Sequence, residues 1–207
     1  MKQRTFDVKV ISEHGYYPAL YGIGLSYGVT GDMGGKEVVG DRLYKLEYVS
    51  QHLSGKPIGS GEDKFLRMLV VYMSIDAPLY WWKQFDTYKV GTVAQSESTM
   101  HTLLKNRKFC KEMFEDGNIT DDSLSYLNGI LNDGDFHLMY GVLPSNWMQE
   151  RLIMCNYAVL KSIFKQRRHH KLKDWQKFTS MTYNQLADKY FLDSVIEGEN
   201  LHEVPAD

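Results

Sequence analysis

This chain has few cysteines, no long apolar run and no large excess of either charge. Only two cysteines occur, Cys110 and Cys155, and neither lies in a CxxC or Cys/His cluster, so we expect neither a disulfide framework nor a bound metal. No apolar run reaches the roughly eighteen residues of a membrane span. The first ten residues, MKQRTFDVKV, lack the apolar core of a signal peptide. We therefore expect a reduced, cytoplasmic protein.

The charge balance argues against a general nucleic-acid-binding protein. Lys and Arg number 24 and Asp and Glu number 26, for a net charge of −2. One segment departs from this balance, because KQRRHHKLK at residues 165–173 places five cations around two histidines. Two interpretations stay open: a solvated helix end whose cations favour the helix dipole, or a surface that binds nucleic acid, which the net acidity makes the less favoured of the two.

What the chain has is a large apolar content, with 43% hydrophobic and 13% aromatic residues. We predict a single domain over residues 1–207 with a polar tail from about 196 to 207. TFDVKVI and FLRMLVVYMSIDAP are predicted as strands, and the glycine-rich residues 15–41 as a loop. The predicted helices lie mostly in the second half, which indicates the α+β class. They are residues 41–53, a run from about Leu79, SESTMHTLLKNRKFCKEMFE, TDDSLSYLNGILND, residues 147–170 and DWQKFTSMTYNQLADKYF.

The predicted helix over residues 147–170 carries an unusual polar side. Its apolar stripe leads to Arg167, and helical geometry places Asn156, Arg167 and His170 along one side. An arginine beside a core needs an anionic partner or exposure at a pocket rim, and its planar fork suits phosphate or carboxylate. The alternatives are an internal salt bridge for Arg167 and a surface role for His170. The stripe is formed by Ile153, Tyr157, Leu160 and Phe164.

Residues 80–101, YWWKQFDTYKVGTVAQSESTMH, are too polar for a core and too aromatic for a solvated loop. Such a mixture is typical of a pocket with aromatic walls and a few placed amides and hydroxyls. The alternative is that YWW is core and FDTYK caps a helix. The residues alone do not decide between the two.

The order of several short motifs resembles the flavin-dependent thymidylate synthase family (ThyX), and more closely its divergent phage-borne members. Ala77-Pro78 is followed by LYWW, by Lys83-Gln84 and by FDTYKVGTVAQSES, as in the family's strand, aromatic helix and polar segment. Leu143-Pro144 precedes Asn156 at the family's spacing of twelve positions from the proline, and Arg167 follows eleven later. YGIGLSYG is similar to the family's segment after strand one. The resemblance covers roughly residues 5–185.

This resemblance implies a ThyX-like fold, an antiparallel or mixed sheet packed with helices, and a long helix in the C-terminal half. It implies FAD as cofactor, with NADPH and methylene-tetrahydrofolate as co-substrates for the methylation of dUMP or a related pyrimidine nucleotide. It also implies a homo-oligomer, a tetramer in the family, working in the host cytoplasm if the protein is phage-encoded.

The resemblance also assigns roles to individual residues. Ser98 and Arg167 fall on catalytic positions and also contact the substrate, which Gln84, Lys83 and Lys89 help to bind. Cofactor contacts fall on Trp82, Tyr88, Asn156 and His170, with Trp81 and Trp82 as the aromatic wall.

Several cations of the family pattern are missing. The RHR triplet falls on Thr87-Tyr88-Lys89, and an arginine before the Leu-Pro falls on Tyr140. Each charge-assisted contact is worth about 1.5–3 kcal/mol, so dUMP binding requires substitutes, for which Lys83, Lys89, Arg67 and Arg168 are available. The alternative is a ThyX-fold protein that binds a nucleotide or a host partner without turnover.

Overall fold

Four strands form one sheet within the described part of the chain, in the order β1-β2-β4-β3. The computed structural model describes residues 2–28, 41–106 and 108–196. The strands are β1 Asp7–His14, β2 Val70–Pro78, β3 Val93–Ser96 and β4 Met148–Asn156. The α-helices are α1 Tyr16–Ser26, α2 Asp41–Ser54, α3 Leu79–Phe85, α4 Thr99–Asn106, α5 Asp121–Asp133, α6 Phe136–Val142, α7 Tyr157–Arg167, α8 Lys173–Gln185 and α9 Asp193–Ile196.

The chain divides into two compact units, and β1, β2 and β4 each run from one unit into the other. Unit 1 comprises Met1–Lys9 and Ser74–Ile153, and unit 2 comprises Val10–Met73 and Met154–Asp207. The single domain over residues 1–207 stays a prediction. The polar tail from 197 onwards lies outside the described residues. No helix in the described ranges is long and apolar enough to cross a membrane.

Unit 1 is built around two aromatic clusters. In the first, Trp81 stacks on Phe85 with ring centroids 5.1 Å apart and meets Phe6 edge-on at 5.2 Å. In the second, Trp147 meets Phe109 and Phe114 edge-on at 5.4 and 5.5 Å, and α4, α5 and α6 add apolar side chains. Offset and edge-on ring pairs add stability beyond the area that they bury.

Unit 2 is organised by α7. The apolar side of this helix is buried, and a short 3-10 helix at Lys64–Arg67 packs near it. Gly15, at the turn into α1, has φ of 97°, and a Cβ there would lie 2.0 Å from the carbonyl oxygen of Met68. Only glycine fits that position, because both the backbone angle and the close approach exclude a side chain.

Most of the predicted elements are confirmed. β1, β2, α2, α3, α5 and α8 lie where the sequence patterns place them. Thr120 caps α5, its side chain accepting a hydrogen bond from Ser123 N, as its residue type predicts.

Three boundaries are wrong. Residues 148–156 form β4 and not the first part of a long helix, so α7 has only 11 residues. Residues 16–26 of the predicted glycine-rich loop form α1, while residues 29–40 lie outside the described ranges. Within the segment SESTMHTLLKNRKFCKEMFE, predicted as one helix, the structure has α4 over Thr99–Asn106 and a separate 3-10 turn at Lys111–Met113.

Asn156 marks the change from strand to helix. It ends β4, and its Oδ1 accepts a hydrogen bond from Val159 N at 3.0 Å as the N-cap of α7. The amide of the residue after Asn156, Tyr157 N, donates to Leu69 O at 3.0 Å. Both bonds satisfy amides that the first turn of a helix leaves without an intrahelical acceptor.

We predict that Asn156→Ala lowers the free energy of unfolding by about 1 kcal/mol, because Val159 N loses its acceptor. Asn156→Asp retains the acceptor and should stay within a few tenths of a kcal/mol of the parent. Urea titration followed by circular dichroism measures both. Equal stability of the alanine and aspartate variants would contradict the cap.

Candidate functional site

The two neighbouring tryptophans of α3 are core residues. Trp81 is 0% and Trp82 1% exposed, and their rings meet edge-on at 4.9 Å. The structure therefore corrects the predicted aromatic wall: neither indole has a free face, and the alternative that YWW is core holds for this chain. FDTYK continues α3 into a 3-10 turn at Asp86–Tyr88.

A cation that the sequence reasoning missed covers Trp82. The guanidinium carbon of Arg151, on β4, lies 4.3 Å from the centroid of the Trp82 ring. Arg151 also donates to Asp86 Oδ1 at 2.8 Å and to Gln149 Oε1 at 3.0 Å. Trp82 Nε1 in turn donates to Gln149 O at 2.9 Å. This network fixes a positive charge beside α3.

The predicted substrate residues on α3 and the following turn are brought together by their closeness in the chain. Lys83 and Lys89 are exposed, and Gln84 and Tyr88 are half-buried. The turn that carries them is held by side chains, because Thr87 Oγ1 donates to Gln84 O and Thr92 Oγ1 to Tyr88 O, both at 2.7 Å.

Ser98 lies at the start of α4. It is exposed, and its Oγ accepts a hydrogen bond from His101 N at 3.3 Å, while its carbonyl accepts from Thr102 N at 3.0 Å. These bonds are those of a helix N-cap. The hydroxyl therefore has a structural role in addition to the catalytic one predicted for it.

A second ion network on the sheet joins residues that are distant in sequence. Arg4 forms two hydrogen bonds with Asp76, at 2.9 and 2.7 Å, and a third with Glu97 Oε2 at 3.0 Å. Glu97 also accepts from Thr102 Oγ1 at 2.8 Å and from Glu150 N at 3.1 Å. The Arg4 side chain is 17% exposed, so the pair is partly shielded from water.

The pKa values of the two carboxylates in this network are shifted in opposite directions. Burial raises the pKa of Asp76 despite the Arg4 charge, and the nearby charges of Glu97 and Glu150 add to the rise. Burial also acts to raise the pKa of Glu97, but the Glu150 amide, the Arg4 charge and the Thr102 hydroxyl outweigh it and lower that pKa. The network as a whole thus favours the charged form of Glu97 more than that of Asp76, with the Glu150 amide as the largest favourable contribution at Glu97.

In unit 2, Arg167 and His170 lie around one indole ring at the end of α7. The Arg167 guanidinium carbon lies 4.8 Å from the Trp175 ring, and the His170 ring lies 6.5 Å from it. His170 Nδ1 accepts from Leu172 N at 3.1 Å, which leaves Nε2 as the protonated donor of a neutral ring. Two predicted site residues are therefore brought together, on a buried aromatic platform.

Asn156 does not join this pair. It caps the opposite end of α7, and eleven residues at about 1.5 Å of rise separate it from Arg167 by roughly 16 Å along the axis. Its Oδ1 is used by the cap, and its carboxamide NH₂ is the group left to donate.

Two of the expected substitute cations are placed elsewhere. Arg67 is exposed on the 3-10 helix at Lys64–Arg67, and Arg168 donates to the carbonyl oxygens of Val195 and Ile196. Tyr140, where the resemblance leads one to expect an arginine, is 48% exposed on α6. An apolar cavity of about 610 Å³ in unit 2 is lined by residues such as Ile23, Phe65 and Met68, and none of the predicted site residues lines it.

Comparison with solved structures gives likenesses over nearly the whole chain. ThyX from Helicobacter pylori with FAD and dUMP is 13% identical with a TM-score of 0.70, covering 91% of this chain and 99% of that one. A second structure of the Helicobacter pylori enzyme with the same ligands is 14% identical with a TM-score of 0.69, covering 90% and 97%. The UMP/dUMP methylase PolB from Streptomyces cacaoi, bound with 5-Br dUMP, is 11% identical with a TM-score of 0.67, covering 96% and 97%.

No protein-family model and no curated protein matches the sequence. The likeness is therefore one of fold, at an identity where side chains are mostly different. The chain has the ThyX fold, an α+β arrangement of a four-stranded sheet and helices, as the motif order predicted.

We predict that Arg4→Gln lowers the free energy of unfolding by about 1–3 kcal/mol at neutral pH, because it leaves Asp76 and Glu97 without their cation. Lys111→Gln, which removes an exposed charge paired with Asp121, is the matched control and should cost less than about 1 kcal/mol.

The loss in free energy of unfolding caused by Arg4→Gln should become smaller in acid. Since the folded-state pKa of Glu97 is lowered, its contribution is present above the ordinary carboxyl pKa and is lost as the pH falls through the folded value. Asp76, with a raised pKa, takes up its proton at higher pH. A deficit that is constant from neutral to acid pH would rule out an electrostatic origin.

Proposed function

We propose that this protein methylates dUMP or a related pyrimidine nucleotide in an FAD-dependent reaction that uses methylene-tetrahydrofolate and NADPH. The observation that carries the proposal is the fold, shared over at least 90% of the chain with ThyX and with a UMP/dUMP methylase. The Arg167–His170–Trp175 cluster at the end of α7 supports it, since it presents a cation and an imidazole donor together.

The residues divide between substrate and cofactor. Arg167 holds the nucleotide phosphate, for which its planar fork is suited. Gln84 binds the base edge, and the exposed Lys83 and Lys89 provide positive charge that the missing RHR triplet does not. Ser98 contacts the substrate from the N-cap of α4. By analogy with the family, the active form is a homo-oligomer, a tetramer, of cytoplasmic location.

The residues proposed for FAD fit it in part. Asn156 retains an amide donor beyond its cap, and His170 retains Nε2–H, so both suit carbonyl or phosphate oxygens of the cofactor. Tyr88 is half-buried and adds an aromatic edge. Trp82 does not fit direct contact, because its ring is buried beneath Arg151. When bound, FAD supplies the hydride that completes the methyl group.

A second candidate function is nucleotide or partner binding without turnover. Thr87-Tyr88-Lys89 in place of the RHR triplet favours it, and so does the use of Ser98 as a helix cap. Fold alone does not establish chemistry.

The visible absorption spectrum of the purified protein separates the two, recorded before and after addition of FAD and dUMP. Methylation predicts bound-flavin bands that shift on adding dUMP, because flavin spectra respond to their surroundings, followed by thymidylate formation once folate and NADPH are present. UMP is tested alongside dUMP. A protein that stays colourless and binds neither FAD nor dUMP overturns the flavin proposal. The second candidate function then remains, with another nucleotide or a partner as the ligand.

We predict that Arg167→Ala weakens nucleotide binding by about tenfold or more, because a charge-assisted phosphate contact is lost. Arg167→Lys retains the charge without the planar fork and should show an intermediate loss. Isothermal titration with dUMP measures both, and thermal melting serves as the folding check. If Arg167→Ala instead unfolds the protein at ordinary temperature, Arg167 is a structural partner of Trp175.

A further inference from the structure

A second cationic feature of unit 2 lies away from Arg167. It is a cleft of about 260 Å³ formed by residues 55–58, by one face of α7 and by α9. We call it the basic cleft. Arg167, His170 and Asn156 do not line it.

Four cations and no carboxylate are found among the described residues that line the basic cleft. The cations are Lys56, Lys161, Lys165 and Arg168, and Ser194 adds a hydroxyl. Among the described contacts of Lys161, the acidic partner is Asp63. Asp63 does not line the cleft, and its side chain is 6% exposed. The surface that the cleft offers is therefore strongly positive.

Lys161 positions the loop that brings in Lys56. Its side chain is 2% exposed, and its Nζ donates to Ser54 O and Lys56 O, both at 2.7 Å, and to Asp63 Oδ2 at 3.4 Å. The three donors of the ammonium thus tie residues 54–56 to α7. Lys161 is a positioning residue, while Lys56 and Lys165 are the lysines placed to meet a ligand.

The spacing of the cations on α7 carries an electrostatic cost. Lys161, Lys165 and Arg168, which is the C-cap of α7 and keeps helical backbone angles, are separated by four and three positions, so they share one face of the helix. Like charges at this spacing repel each other. Burial, opposed by Asp63, lowers the pKa of the Lys161 ammonium, and the charge of Lys165 adds to the fall. A bound anion would relieve this repulsion.

We propose that the basic cleft binds a phosphate group. Lys56 and Lys165 would contact its oxygens from two elements, with Arg168 held at the cleft by the carbonyls at the end of α9. The site is separate from the one proposed for the pyrimidine nucleotide: Arg167 lies about 100° or more around α7 from the face that lines the cleft. The inference does not require FAD or catalysis.

Isothermal titration with inorganic pyrophosphate tests the proposal on the full chain. One bound pyrophosphate is expected, with affinity lowered about tenfold in Lys56→Gln and in Lys165→Gln and about a hundredfold in the double variant. Lys171→Gln is the matched control, because it removes the same charge from the same KQRRHHKLK segment outside the cleft. It should bind pyrophosphate like the parent.

Two further measurements show whether the folded cleft binds pyrophosphate and which kind of phosphate it prefers. Pyrophosphate should raise the Tm of the parent and of Lys171→Gln but not of the double variant, and ligand-free Lys165→Gln should melt no lower than the parent because a repulsion is removed. Repeating the titration with UDP identifies the source of the phosphate: tighter binding of UDP than of pyrophosphate, with the same loss in the double variant, indicates a nucleotide.

Three results would overturn the proposal. Equal loss in Lys171→Gln would mean diffuse attraction by the basic segment, and unchanged affinity in both cleft variants would mean binding elsewhere. Loss of pyrophosphate binding in Arg167→Ala, with the cleft variants unaffected, would assign the phosphate to the proposed nucleotide site instead.

Discussion

The hydrogen bond from Val159 N to the Asn156 side chain sets where α7 begins, and the organisation of unit 2 depends on that start. Because each residue turns the helix by about 100°, fixing the first residue fixes the direction of all the later ones. Arg167 then meets Trp175, while Lys161, Lys165 and Arg168 face the basic cleft. A shift of the sequence along α7 by one residue would turn both groups of cations by about 100° away from these neighbours.

The same junction explains the largest error made from the sequence. Ile153, Tyr157, Leu160 and Phe164 recur at helical spacing, yet the first of them is in a strand and the others are in a helix. Four residues at matching intervals do not reveal that the chain changes conformation between the first and second. Asn156 is the better signal, since asparagine is a strong N-cap residue. For α1, the glycines outweighed the signal of Ala19, Leu20 and Ile23, which the structure buries.

The order of elements was predictable because it depends on local patterns, while the ion networks were not. Arg4 and Glu97 are 93 positions apart, and no local pattern connects them. The apolar spacing predicts a helix over the segment that contains Arg151, and the neighbours of a residue in a helix differ from those that it has in β4. The two tryptophans fit both interpretations for a similar reason, because the burial of Trp82 on α3 depends on Gln149 and Arg151, which lie on β4. The sequence places Arg167 and His170 near one helix end, and in the structure both lie beside the Trp175 ring.

Gly15 has a consequence for how this chain tolerates change. A library of random substitutions, selected only for folded protein, should retain glycine at position 15, because any Cβ there strikes the Met68 carbonyl. At Gly59, Gly61 and Gly134 a Cβ meets no atom within 4 Å, so only the positive φ opposes replacement, and Asn or Asp should survive selection there. These four glycines thus differ in kind: Gly15 is required by a neighbouring backbone, and Gly59, Gly61 and Gly134 by the backbone angle of the turns in which they lie.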